Sequence, residues 1–392
     1  MKGQLLPLAT SSWDHREIEA IHEVIASNQF TMSDRVKKYE TEFAEKIGSR
    51  FCIMVNSGSS ANLLAVGALR FSKSFPLHAG DEVIVPAVSW STTFAPLQQY
   101  GLKVKFVDID RQNLNLDLDR LSEAITSKTR AIFCVNLLGN SIAYRELENI
   151  IKGRDILLLE DNCESLGATF EGKNTGTFGL LGTFSSFFSH HISTMEGGMI
   201  ATEEEELYEI LLSLRAHGWT RDLKKGNSLI EKNKVSFYDS FRFVLPGYNL
   251  RPLEFSGAVG SVQLSKLDEI VDGRRRNARE FQKLFADKEG IRIQKETGDS
   301  SWFGFAIIIE KLETARDELV QILESKGVEC RPIVSGNFVR NAAVKYFDYE
   351  VSGALENSDE LHDNGFFIGN QHYDITSELR ETEKIISSFL HK

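Results

Sequence analysis

Two adjacent histidines, His190 and His191, stand at the centre of the run TFSSFFSHHISTMEGG, residues 183–198. Near neutral pH an imidazole both takes and gives a proton, so a histidine held in a site suits acid–base work. Imidazole cannot form an imine, and no lysine occurs between Lys173 and Lys224 to supply the missing amine. Proton transfer is therefore the chemistry this window offers. Upstream, VNSGSSAN (55–62) runs from an apolar stretch into a helical pattern. Backbone amides at such a helix start, with Gly58 and the Ser59 and Ser60 hydroxyls, suit an anionic group such as a phosphate. A run of this kind is also an ordinary turn and cap. Asp161 ends the apolar run DILLLED, and open-sheet enzymes gather ligands outside the carboxyl ends of their strands. Taken alone, it could equally cap a loop.

The elements that must position these residues follow from periodicity. FCIMVN (51–56), DEVIVP (81–86), KVKFVDI (103–109), RAIFCVN (130–136) and DILLLED (155–161) read as strands. Between them lie amphipathic patterns such as SSANLLAVGALRF (59–71). Apolar strands alternating with helices predict a mainly parallel sheet covered on both faces. After Gly198 come MIAT and EEEELYEILLSLRAHG, a helix with Thr202 as its N-cap and acids in its first turn. LKKGNSLIEKNKV (223–235) reads as a polar loop. From PGYNLRPLEFSGAVG a long helix begins, followed by SSWFGFAIII and GVECRPIV as strands around a helix at about 312–327. The chain thus divides into a large unit over 1–245 and a smaller α+β unit over 246–392.

At 392 residues with 42% hydrophobic and 26% charged content, the composition is that of a globular enzyme. A formal net charge of −11 opposes non-specific nucleic-acid binding, which needs a basic footprint. An anionic substrate must then be met by local positive charge. Cys52, Cys134, Cys163 and Cys330 are widely spaced, with no CxxC pair and no zinc or iron–sulfur pattern, as in a reduced, cytoplasmic chain. The start MKGQLLPLATSSWDHRE turns acidic too soon for a signal peptide, and no apolar run reaches the roughly 18 residues of a membrane span.

The window around His190 resembles the cofactor segment of the DegT/DnrJ/EryC1/StrS sugar aminotransferase family. There a lysine six residues before (E/D)-G-G anchors pyridoxal phosphate as a Schiff base, and His190 stands in its place. Several further segments match in chain order. VNSGSSAN resembles the family's phosphate loop, and Trp90 in PAVSWSTT occupies the position of an aromatic that stacks on the pyridine ring. Asp161 matches the aspartate that pairs with the pyridinium nitrogen and keeps the ring an electron sink. Glu164, in DNCESLG, is placed near the cofactor, and Ser185 matches a serine that adds a phosphate contact. GYNLRPLE (247–254) resembles a segment whose asparagine, here Asn249, reaches across a dimer interface to the partner's cofactor; Arg251 is equally a salt-bridge former. The resemblance covers essentially the whole chain. It implies a fold-type-I, aspartate aminotransferase-like α/β enzyme and a homodimer with shared sites.

Two branches of that family resemble this chain in having histidine for lysine, and both deoxygenate a nucleotide-linked sugar at carbon 3. One carries a two-iron, two-sulfur cluster on four cysteines, three of them close together, which these cysteines cannot supply. The other has no cluster, and SHHISTMEGG, RAHGWTR, VLPGYNLRPLE, SSWFGF and ECRPIVSGNF resemble it. Its chemistry implies pyridoxal or pyridoxamine 5′-phosphate bound without a covalent link, L-glutamate as amino donor, and GDP-4-keto-6-deoxymannose as substrate, on the route to colitose. His190 would be the acid/base, and His217 in RAHGWTR a second catalytic candidate, although a helix-end histidine often only caps or packs. His191 is equally a packing residue. An ordinary sugar aminotransferase would need the lysine. A cofactor-binding protein without activity would also lack it, and bleaching of the cofactor by L-glutamate separates the two.

Overall fold

Strands that are apolar at every position bury both of their faces, and the computed structural model, which describes residues 4–224, 226–230, 241–310 and 315–391, arranges them so. Eight strands form the larger sheet, in the order Phe51–Val55, Gly198–Thr202, Leu181–Ser185, Leu157–Asp161, Thr129–Val135, Glu82–Pro86, Lys103–Val107 and Tyr349–Val351. Gly198–Thr202 runs antiparallel to both neighbours and the other pairings are parallel. The period of two divides each strand between two cores. Val83 and Val85 enter a core with Leu64, Phe94 and Leu211 from the helices Gly58–Phe71, Ser91–Gln99 and Glu205–Arg215. Ile84 faces the other way, among Leu121 and Leu147 of Leu118–Ala124 and Tyr144–Ile151. Cys52 and Met54 meet Phe43, Leu264 and Ile270 of the helices Asp34–Ile47, Glu254–Ser265 and Leu267–Phe285. A fully buried Arg215–Glu40 ion pair, with Arg215 also donating to the Met54 carbonyl, ties two of these helices to the edge strand. Removing one member would strand a charge in the core, at a cost of about 3–5 kcal/mol.

The second sheet is antiparallel, ordered Ile291–Ile293, Gly304–Ile309, Gly365–Gly369 and Cys330–Arg331. Phe305 and Ile307 pack there against Phe281, Leu323 and Ile386 of the helices Leu267–Phe285, Ala315–Ser325 and Thr376–Leu390. The chain crosses between the two cores more than once. Leu6 lies in the second core, with the Leu5 and Leu6 amides donating to the Gly327 carbonyl. Tyr349–Val351 extends the larger sheet beside Lys103–Val107, where Glu350 meets Lys103 at 2.8 Å and Lys105 at 3.0 Å.

The five strands expected in the large unit are present within two residues of their expected ends, and the two expected in the smaller unit are shorter than SSWFGFAIII and GVECRPIV, at Gly304–Ile309 and Cys330–Arg331. Three expectations change. Thr202 ends a strand and gives its hydroxyl to the Leu180 carbonyl, and Glu204 is the N-cap. The long helix after GYNLRPLE is two helices that meet at Lys266. Ile291–Ile293 and Gly365–Gly369, too short to show a period, complete the second sheet. Residues 225 and 231–235 of the polar loop and 312–314 of the last predicted helix lie outside the described residues.

Candidate functional site

A cavity of about 650 Å³ opens at the carboxyl ends of the central strands, between the two sheets. Its floor is Asp161, the last residue of Leu157–Asp161. Strand alternation sends Glu160 to the opposite face, where the Tyr144 hydroxyl and the Gly176 and Gly179 amides donate to it, and burial raises its pKa. The Asp161 carboxylate is itself buried. Its Oδ2 accepts from Asn62 Nδ2 at 2.8 Å and Thr93 Oγ1 at 2.7 Å, and its Oδ1 from the Cys163 amide at 3.1 Å. Three donors fix the plane of a side chain that, ionised, can only accept.

Above Asp161 the helix Gly58–Phe71 begins, with Ser57 as N-cap accepting from the Ser60 amide. Its free N-terminal amides and the positive end of its dipole face the cavity at Gly58 and Ser59. A Cβ on Gly58 would come within 2.7 Å of the Ser185 Cβ and 2.9 Å of the Cys163 sulfur, so helix start and strand end touch because no side chain intervenes. Gly198 does the same on the other side, where a Cβ would lie 2.3 Å from the Ser57 carbonyl. Ser59 Oγ meets Thr92 Oγ1 at 2.9 Å. Ser60 Oγ turns instead to Asn56, at 2.6 Å, and does not line the cavity. Trp90, 57% exposed, forms one wall just before the helix Ser91–Gln99.

His190 lines the cavity opposite. Its ring stands edge-on to Phe303, with centroids 5.1 Å apart, and to Phe187 at 6.0 Å. Its Nδ1 is buried and without a partner. Burial, and then the nearby Arg274 cation, push its pKa down to about 4, so at neutral pH it is an unprotonated acceptor. Glu164 moves the opposite way. Burial lifts its carboxyl to about 7, the Leu138 amide bonding to Oε2 at 3.0 Å works against that rise, and the Asp161 charge adds to it. Burial also raises the Cys163 thiol, which makes it a poor nucleophile.

The structure thus brings Gly58, Ser59, Trp90, Asp161, Glu164, Ser185 and His190 to one cavity. His217 and Asn249 do not line it. They sit together where Ala216 bridges to Asn249, with the His217 ring 5.3 Å from that of Trp219 and Arg251 Nε donating to Asn249 Oδ1 at 3.1 Å. The Arg221 and Arg251 guanidinia also lie over the Trp219 ring. His191 is buried behind the cavity, its Nε2 donating to the Ser301 carbonyl at 3.0 Å. Sequence reasoning missed Asn62 and Thr93. A helical spacing of four from Gly58 to Asn62, and of three from Trp90 to Thr93, were the available signals. It also missed Phe303, Arg331, Pro332 and Phe367, the wall supplied by the second sheet. Nothing local in those strands marks them.

A pyridoxal phosphate fits this cavity: helix amides and hydroxyls for its phosphate, a fixed carboxylate for its ring nitrogen, an exposed tryptophan for its face. The four cysteines are free. Among the described residues no group of three or more His, Cys, Asp or Glu side chains could hold a metal ion, and no helix is long and apolar enough to cross a membrane.

The model of the DegT/DnrJ/EryC1/StrS aminotransferase family matches residues 11–384. GDP-4-keto-6-deoxy-D-mannose 3-dehydratase of Yersinia pseudotuberculosis is 54% identical over 383 residues, 97% of this chain and 98% of the relative. The solved structure of the E. coli GDP-4-keto-6-deoxy-D-mannose-3-dehydratase with bound hydrated PLP is 55% identical, covers 97% of this chain and 98% of its own, and gives a TM-score of 0.95. A GDP-4-keto-6-deoxymannose-3-dehydratase structure of a histidine-to-asparagine variant with bound GDP-perosamine, 54% identical, covers 97% of this chain and 100% of its own, also at 0.95.

Proposed function

Because the chain belongs to the DegT/DnrJ/EryC1/StrS aminotransferase family, we propose that it is a pyridoxamine-phosphate-dependent dehydratase. It removes the carbon-3 hydroxyl of GDP-4-keto-6-deoxy-D-mannose, with L-glutamate as amino donor, in deoxysugar biosynthesis. The observation that carries this reading is a cavity in which the phosphate cradle, Asp161 and Trp90 are all in place while the amine is replaced by the His190 imidazole.

Gly58, Ser59 and Ser185 would hold the phosphate by amides and hydroxyls, Trp90 would lie against the ring, and Asp161 would favour a proton on the ring nitrogen. Bound there, the cofactor supplies an amine for the sugar's 4-keto carbon and an electron sink as the carbon-3 hydroxyl leaves. His190 accepts a proton on its imidazole, and its low pKa keeps the ring unprotonated at neutral pH. Lacking an amine, it would leave the cofactor without a covalent tether. Arg331, exposed at the rim, places a cation opposite Asp161, Glu164 and Glu196, where anionic substrates enter. His217 and Asn249 lie outside the cavity and serve the site of a second copy in a homodimer.

The test is a panel of nucleotide-linked 4-keto-6-deoxy sugars with L-glutamate, following 2-oxoglutarate and ammonia. Release of both with the GDP-linked sugar is expected, and borohydride should leave no pyridoxyl-lysine. An accumulating amino sugar, or a reduced adduct on a lysine peptide, would overturn the assignment.

A further inference from the structure

Arg274, on the helix Leu267–Phe285, is 5% exposed, and among the described residues no carboxylate pairs with it. A buried cation without a counter-ion is costly, and burial lowers its own pKa to about 10. Its Nη1 donates to the Phe303 carbonyl at 3.0 Å and to the Trp302 carbonyl at 3.4 Å, and its Nε has no partner. The turn it grips is bent unusually, with Trp302 at φ 49°, a left-handed conformation that a bulky residue seldom holds unaided. Both histidines of the central window lean on that turn. The Phe303 ring lies 5.1 Å from His190 and 5.9 Å from His191, and the Ser301 carbonyl takes the His191 Nε2 bond.

We propose that Arg274 is a positioning residue of this site, holding the Ser301–Phe303 turn, and through Phe303 the His190 ring, in the orientation in which His190 acts as acid and base. The guanidinium acts by bonds and by charge. Its two carbonyl bonds hold a strained turn that would otherwise relax and release the ring edge. Its positive charge, in a poorly solvated setting, opposes a second positive charge on either imidazole. The other charged or titratable groups facing His190 are His191 behind it and Asp161, Cys163, Glu164, Glu196 and Arg331 around the cavity. After burial itself, the Arg274 charge is what bears on the ring. An arginine suits both tasks, because it stays ionised when buried and its planar guanidinium fixes the direction from which Nη1 donates to two carbonyls.

The proposal rests on the reading of His190 as the base, so its test has one readout that needs neither cofactor nor turnover. In the full-length protein with labelled histidine, the His190 imidazole is titrated by NMR without cofactor, and dehydration is measured separately across pH in the loaded enzyme. With Arg274→Gln the His190 midpoint should rise by about one unit or more as the neighbouring charge is lost. Turnover should fall about 10- to 100-fold, with KM for the sugar changed less than about two-fold, because a displaced base slows proton transfer without loosening binding. Arg274→Lys should keep the midpoint near the wild-type value, yet restore turnover only in part, since an ammonium on a flexible stem does not keep the fixed plane in which the guanidinium presents Nη1 to the two carbonyls. An unmoved midpoint and unmoved turnover in Arg274→Gln would overturn the proposal. Should Arg274→Gln not fold, wild-type turnover in Arg274→Lys, or a midpoint there at the ordinary imidazole value, would overturn it instead. If the wild type dehydrated no sugar, the functional reading would fall while the NMR titration still decided the role of Arg274.

Discussion

At the scale of single residues, the cavity sets two titrating groups against each other. His190 is driven to about 4 and Glu164 to about 7, so a neutral base and a partly protonated acid share one space at physiological pH. Removing the base by His190→Asn should leave cofactor binding intact, by absorbance titration, and lower the dehydration rate by roughly 10²–10⁴-fold, the usual contribution of one placed proton-transfer group. Near-native rates with saturating pyridoxamine phosphate would send the search for a base elsewhere. Glu164 makes a prediction about stability, with a definite sign. Its folded pKa lies above its unfolded one, so the folded state keeps a proton that the unfolded chain has lost, and stability falls as pH rises from about 4.5 to about 7. Glu164→Gln keeps an acceptor for the Leu138 amide and removes the titration. The variant without cofactor should therefore melt higher than the wild type at pH 8, and the difference should vanish near pH 4. A constant difference across that range would show that the carboxyl does not titrate there.

At the scale of elements, the site depends on backbones that come closer than side chains would allow. Gly198 lets the strand Gly198–Thr202 lie against the Ser57 carbonyl at the start of the phosphate-facing helix. Gly198→Ala should push that helix start away, weakening cofactor affinity about ten-fold or more and costing about 1–3 kcal/mol of stability. Fluorescence titration and urea unfolding would measure the two, and an unchanged affinity would sink the argument. This layer was the legible one in the sequence. The five strands read from the sequence are apolar and bounded by turn residues, and the serine–glycine start and Asp161 lie at the ends of two of them, while the His190 window follows a sixth, Leu181–Ser185. Their convergence follows from the geometry of a parallel sheet. Three things were hidden for physical reasons. Asn62 and Thr93 act through hydrogen bonds to Asp161 that exist only once separate helices are packed. Arg331 and Phe303 lie in segments that the sequence does mark as strands, but that they reach the cavity follows only from how the second sheet packs beside the first. Arg274 looks like one more arginine in RRRNAR, and only its burial sets it apart.

At the scale of the whole molecule, the group formed by His217, Trp219, Asn249 and Arg251 stands outside the cavity, with Phe243 nearby 62% exposed. If Asn249 completes the site of a second copy, mixing can show it. His190→Asn and Asn249→Ala chains, each impaired alone, should on co-refolding with limiting cofactor recover about a quarter of wild-type activity, because half the pairs are mixed and each mixed pair holds one intact site. No recovery would place Asn249 in the service of its own chain. One further feature reaches beyond the site. The stretch that leaves the second sheet at Cys330–Arg331 enters the larger sheet at Tyr349–Val351, where Glu350 is gripped by two lysines. The wall carrying Arg331 is therefore anchored at both ends, like a bridge deck on two piers, and cannot open as a door. Ligand entry should leave amide hydrogen exchange across residues 330–351 nearly unchanged, whereas a broad slowing there would reveal a swinging part. A fixed mouth needs no closing step before chemistry, so binding energy is not diverted into moving the protein and the reaction's tempo falls to proton transfer or to product escape.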